Sequence, residues 1–204
     1  MVADPSESTD AEGAPKRSHW LRETAIVVVV ALVAALLLRA FVVQTFFIPS
    51  GSMEPTLNIG DRILVNKLSY HLHGVDRGNI IVFRRPADEN CGGEPVADLV
   101  KRVIGLPGET ISLTRGSKGY VKINGKRLDE TWLPTSVQGK TFPGPAGKPY
   151  NLTRPYVIPA NDYFVMGDNR TDSCDSRYWG PIPRSLIVGK VDLRVWPITS
   201  FHFF

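Results

Sequence analysis

The longest apolar run in the chain lies near its start. From position 25 the side chains read AIVVVVALVAALLL, and after Arg39 the run resumes through AFVV to Val43. Nineteen residues, 25–43, span about 28 Å as a helix, close to the thickness of a bilayer core. The pattern predicts one transmembrane helix, with Arg39 near its outer end, where a long stem can snorkel to the headgroups. The alternative is a cleaved signal peptide, because Lys16, Arg17 and Arg22 precede the run as a basic flank. The run is longer than the usual signal-peptide core, and no clear small-x-small site follows it before QTFFIPS, so a retained anchor is the better reading. Basic residues on the N-terminal flank place residues 1–24 in the cytoplasm and residues 44–204 outside.

Beyond position 44 the pattern changes to short runs with period two or continuous β-branched character. RILVNKL, NIIVF, DLVKRVIG, ETISL, YVKING, DYFVMGD and GKVDLRVW are separated by Gly, Pro, Asn and Asp. This spacing predicts a mainly β extracytoplasmic domain, residues 44–204. Residues 1–24 form a polar tail, disordered through about residue 18, and residues 135–155, rich in Gly, Pro and Lys, read as an extended surface loop. No internal repeat is visible.

Composition narrows the chemistry. Lys and Arg number 24 against 20 Asp and Glu in 204 residues, a net charge of +4 without long basic blocks, so nucleic acid is not an expected partner. The two cysteines, Cys91 and Cys174, are too few for a disulfide scaffold or a four-cysteine zinc site. The four histidines, His19, His71, His73 and His202, lack zinc-site spacing, and DNRTDSCD lacks the glycine and final glutamate of an EF-hand loop. No metal or cofactor is expected. Asn151-Leu152-Thr153 and Asn169-Arg170-Thr171 fit glycosylation sequons and are read as chance matches.

Two segments suggest a nucleophile and a base. Ser52 lies in FIPSGSMEPTL, flanked by small residues that expose its hydroxyl and its N–H. In DLVKRVIG, read as a strand, Leu99, Lys101 and Val103 share one face, and a lysine between apolar neighbours is desolvated toward a neutral amine. Arg102 could not serve, since guanidinium stays protonated. Taken singly, each signal has a plain structural reading: a turn serine and a lysine snorkelling from a sheet edge.

The ordered series PSGSMEPTL, GDRILVNK, RGNIIVF, KRVIGLPGE and GDNRTDSCDSRYWG behind an N-terminal anchor resembles the bacterial type I signal peptidases, from the anchor to about Val191. The resemblance implies a membrane-bound serine endopeptidase that removes signal peptides from exported preproteins, cutting after small-x-small sites. It implies Ser52 as nucleophile and Lys101 as general base. Ser50 and the Ser52 N–H then form the oxyanion hole, and Ser173 orients the lysine amine. Asp175 and Arg177 match a structural ion pair, and Gly167, Asp168 and Asn169 the turn that carries it. Phe46, Ile48, Met53, Leu57, Leu99 and Val100 match the walls of two shallow pockets for small side chains. The partners implied are preproteins, the lipid bilayer and a nearby export translocon. Cys174 departs from the pattern, and an oxidising compartment with an even cysteine count leads to an expected Cys91–Cys174 bridge. The competing readings are another Ser/Lys enzyme, such as a self-cleaving repressor or a pilin-maturation peptidase, and an anchored β-domain that binds exported chains without cutting them. The repressors carry a DNA-binding domain rather than a membrane anchor, which is not expected here, and the binding domain would not need both Ser52 and Lys101.

Overall fold

The structure, a computed structural model, describes residues 17–92, 96–114 and 119–204, apart from the side chains of residues 17–19, 37–41 and His71. The chain divides into two units, Met1–Ala40 and Phe41–Phe204. The first contains nearly all of helix α1, Arg17–Phe41. Helix therefore begins at Arg17, before the apolar run; the rest of the tail lies outside the described residues. At its other end the helix stops at Phe41, and Val43 opens a strand, because the β-branched and aromatic residues of VQTFF are used in sheet pairing. The side chains at 20–36 are all exposed. Among the described residues no helix is long and apolar enough to cross a membrane; the expected span 25–43 runs past the described side chains, and Arg39 lies outside them.

The second unit is mainly β, as the alternating runs foretold. Its strands are β1 (Val43–Phe47), β2 (Arg62–Asn66), β3 (Ile80–Arg84), β4 (Asp98–Gly105), β5 (Thr110–Leu113), β6 (Val121–Ile123), β7 (Lys126–Arg127), β8 (Tyr156–Val157), β9 (Asp162–Met166), β10 (Ile182–Pro183), β11 (Ile187–Trp196) and β12 (His202–Phe203). Two short helices, α2 (Ser69–Leu72) and α3 (Ser176–Trp179), complete the set. The larger sheet runs β1-β2-β11-β3-β4-β9-β10, with β12 beside β11, and a smaller one runs β7-β6-β5-β8. Asn124 and Gly125, both at positive φ, make the tight β6–β7 turn.

Period-two alternation distributes the core. Ile80 and Val82 pack with Ile48, Met53, Leu57, Ile63, Val65 and Val191 on one face of the larger sheet. Ile81 and Phe83 pack with Val103, Val165, Trp179 and Ile182 on the other. Further along, Ile104, Phe164 and Met166 join Ile111, Val121 and Ile123 of the smaller sheet. Each such side chain contributes about 1.5–3 kcal/mol by leaving water. Residues 135–155 carry no strand, yet they are not simply a surface loop: Leu152 and Thr141 are buried, Leu152 within the third cluster. The extended reading missed this because Gly and Pro mark irregular backbone without indicating whether it is covered.

The register of β4 positions the site. Residues 98–102 pair with β3, whereas β9 pairs only from Arg102 onward. Among the described residues, one backbone edge of 98–101 is therefore left without a neighbouring strand. The segment that follows β1 passes opposite it and makes a single 3₁₀ turn, Gly51–Met53, after Ser50 in extended conformation.

Candidate active site

Ser52 and Lys101, 49 residues apart in sequence, meet at this edge. Lys101 Nζ donates to Ser52 Oγ at 2.7 Å and to its neighbour's carbonyl, Val100 O, at 3.1 Å. Only 4 % of Lys101 is exposed. Burial pushes its pKa from 10.5 down to about 8; Asp175, Glu89 and Asp168 oppose that shift and Arg177 adds to it. A lysine so placed holds a substantial neutral fraction near physiological pH, and a neutral amine 2.7 Å from a hydroxyl can accept its proton. Ser50 is exposed, and its hydroxyl lies 3.5 Å from Ser52 Oγ.

The loop after β9 grips the serine from behind. Asn169 N–H donates to the Ser52 carbonyl at 3.1 Å, and its side-chain amide donates to Gly51 O at 3.2 Å. Gly167 is required by this approach, since a Cβ there would strike both the Ser52 carbonyl and the Ser173 side chain. Asn151, the other sequon asparagine, also spends its amide internally, on Gly144 O and Pro145 O.

Buried ion pairs hold that loop in place. Asp168 receives a bidentate contact from Arg102, Nε to Oδ1 at 2.8 Å and Nη2 to Oδ2 at 2.6 Å, and a 2.5 Å hydrogen bond from the Thr56 hydroxyl. Arg102 also donates to Gly78 O at 2.7 Å and lies over the Trp132 ring. Asp175 caps α3 by accepting the Arg177 N–H, accepts the Gly167 N–H at 3.0 Å, and is bridged by the Arg177 guanidinium through Nε at 2.7 Å and Nη2 at 2.6 Å. Burial alone would raise the Asp175 carboxyl, but Arg177 and these N–H donors hold it below its ordinary value. Arg170 pairs with Glu130 and donates to Gly167 O at 3.0 Å. Burial raises the Glu130 pKa, against the pull of Arg170.

Ser173 is buried in the same loop; among the described residues its hydroxyl has no hydrogen-bond partner, and the lysine amine donates to Ser52 Oγ and Val100 O. Of the expected pocket residues, Phe46, Ile48, Met53, Leu99 and Val100 line a cleft of about 60 Å³ beside Ser50, Ser52 and Lys101. Leu57 does not line it; fully buried, it belongs to the core behind. Leu99 packs on the opposite sheet face from Val100, as strand alternation requires. Cys91 and Cys174 are joined in a disulfide, their Cα atoms 6.1 Å apart. Sequence reading overlooked Arg102 and Glu130 as partners of Asp168 and Arg170, and Asn169 as the residue holding the Ser52 carbonyl. Arg102, Asp168, Asn169 and Arg170 lie inside KRVIGLPGE and GDNRTDSCDSRYWG, which was their one signal, and nothing in the sequence marks Glu130.

The family model described as "Signal peptidase, peptidase S26" matches residues 21–196. A probable signal peptidase I-2 of Synechocystis sp. is 38 % identical over 192 residues, covering 94 % of this chain and 80 % of that one. Signal peptidase I of Leptolyngbya laminosa is 38 % identical, with 92 % and 86 % covered. Signal peptidase IB of Staphylococcus aureus is 36 % identical, with 90 % and 93 % covered. Among solved structures, a signal peptidase I from Enterococcus faecalis V583 aligns with a TM-score of 0.41 at 30 % identity, over 58 % of this chain and 97 % of that one. With 176 of its residues inside the family model and relatives at this identity matched over most of their length, the chain belongs to the signal peptidase, peptidase S26 family and is an enzyme of the signal peptidase I type.

Proposed function

We propose that this enzyme cleaves signal peptides from exported preproteins with a Ser52/Lys101 dyad, cutting after small-x-small sites at the outer surface of the membrane. The observation that carries the reading is the 2.7 Å contact between a buried, pKa-lowered amine and a serine hydroxyl beside an open strand edge.

The substrate segment adds as a strand to the free edge of β4. Neutral Lys101 takes the Ser52 proton as Oγ attacks the carbonyl of the last signal-peptide residue. The oxyanion is held by the Ser52 N–H and the Ser50 hydroxyl, each donor of this kind being worth about 10²–10³ in rate. The tetrahedral intermediate collapses, the C–N bond breaks, and protonated Lys101 gives its proton to the leaving amine. Lys101 then deprotonates the water that hydrolyses the acyl-enzyme. The 60 Å³ cleft holds about four or five waters' worth of space, which suits methyl-sized side chains before the cut. Asp175, Arg177, Gly167, Asp168 and Asn169 keep the loop against Ser52, and Ser173, buried in that loop, orients the lysine amine. The chemistry needs no metal or cofactor.

The apolar run 25–43 is proposed as the membrane anchor. Its basic flank keeps residues 1–24 cytoplasmic and the β unit extracytoplasmic, near the translocon that delivers preproteins. The test is cleavage of a preprotein carrying an Ala-x-Ala site, in detergent, by the wild type, Ser52→Ala, Lys101→Ala and Lys101→Arg. Cleavage after the final Ala by the wild type alone is expected. An intact substrate with folded wild type, or activity retained by Lys101→Arg, refutes the proposal.

A further inference from the structure

The two faces of the β4 edge are unequal. The 60 Å³ cleft is walled by Phe46, Ile48, Met53 and Val100 of one face, and a cavity of about 530 Å³ by Cys174 and Trp179 of the other; Leu99, Lys101, Ser50 and Ser52 border both. A strand added to this edge alternates its side chains between the faces. If the first and third residues before the cut enter the small cleft, the middle residue, x of the small-x-small site, points to the opposite face. A volume of this order fits a long side chain, whereas the cleft does not.

The walls of the larger cavity define which side chain fits best. Leu99 and Trp179 supply apolar surface, and the Cys91–Cys174 disulfide bounds it. Of its acidic and basic side chains, Arg85 and Glu89 neutralise each other in an ion pair. Lys101 is neutral in the form that acts as base. Asp172 remains: it is exposed, only its backbone N–H is engaged, and its carboxylate is in no hydrogen bond or ion pair among the described residues. Among the described residues the cavity thus combines an apolar lining with one uncompensated negative charge.

We propose that this cavity is a specificity subsite for the middle residue of the cleavage site, favouring a lysine or arginine whose stem lies on Leu99 and Trp179 and whose charge faces Asp172. The inference rests on the dyad reading above and adds to it a preference at a position where small-x-small recognition alone imposes none.

The test compares kcat/KM for three peptides differing only at the middle position, Ala-Lys-Ala, Ala-Glu-Ala and Ala-Ala-Ala, with the full chain in zwitterionic detergent. The wild type is expected to prefer Lys over Glu by about fivefold at low ionic strength, as a solvent-accessible charge allows, with the ratio shrinking toward 1 in 0.5 M salt. Asp172→Asn should bring the ratio close to 1, and Asp172→Lys should invert it. Equal wild-type rates for Lys and Glu overturn the proposal whether or not the variants fold, as does a preference that survives Asp172→Asn. Ala-Ala-Ala separates the two failures: if it too is not cut, the dyad reading has failed; if it is cut while charge at the middle position is ignored, only the subsite has.

Discussion

The lowered pKa of Lys101 makes a quantitative claim about rate. With a pKa of about 8, the neutral fraction of the amine is about 1 % at pH 6, about 9 % at pH 7 and about 91 % at pH 9. If neutral Lys101 is the base, kcat/KM rises about ninety-fold from pH 6 to pH 9 and then levels off. A lysine at its ordinary 10.5 would instead give a rise of about a thousand-fold over the same interval, with no plateau before pH 10. The plateau therefore tests the burial of the amine, and the slope tests its role. The assay is cleavage of a peptide with an Ala-x-Ala site, under subsaturating conditions at constant ionic strength, with circular dichroism at each pH to establish that the enzyme stays folded. A flat profile would show that no lysine titration limits the reaction. A rate still climbing tenfold per pH unit above pH 9 would show that desolvation of Lys101 is far weaker than its 4 % exposure implies.

Two further expectations concern the frame of the site. Asp168→Asn leaves the buried Arg102 guanidinium without its carboxylate and should lower unfolding free energy by about 3–5 kcal/mol, with kcat falling more than KM rises; a denaturant midpoint within experimental error of wild type would refute it. The Cys91–Cys174 bridge closes a loop of 83 residues, so reduction should lower unfolding free energy by about 4–5 kcal/mol in the chain-entropy account, and an unchanged denaturation curve under reductant would count against that constraint.

The strands were legible wherever one side chain in two had to be buried. NIIVF splits cleanly, Ile80 and Val82 to one cluster and Ile81 and Phe83 to the other, and the same rule put Leu99 and Val103 on the face opposite Val100. Period two needs only neighbouring residues, and so it survives without knowledge of the fold. The partners of the charges did not have this property. Glu130 and Arg170 are forty residues apart, and Arg102 and Asp168 are separated by 66; no local pattern announces which cation a carboxylate will meet across a sheet. The same limit explains Leu152, an apolar residue in a Gly- and Pro-rich segment whose burial depends on what folds over it. The start of helix α1 was not legible either, because the mostly polar residues ahead of the apolar run are compatible with helix but carry no apolar run of their own to mark it.

The ion pairs of the loop and the neutral lysine are parts of one electrostatic arrangement. An anion near an amine favours its protonated form, and Asp175 is the strongest such influence on Lys101. By itself it works against desolvation. Arg177 grips both oxygens of Asp175 and itself disfavours a second positive charge nearby, so the pair as a whole leaves burial as the dominant effect on the amine. Burying the pair has its own cost, which strong geometry and the extra hydrogen bonds from Gly167, and from Arg177 to Phe142 O and Arg170 O, offset. Those same bonds fix the loop whose Asn169 holds the Ser52 carbonyl. The charges around the site therefore serve two ends through one set of contacts: they position the serine, and they offset the carboxylate that most opposes the neutral form of the adjacent lysine.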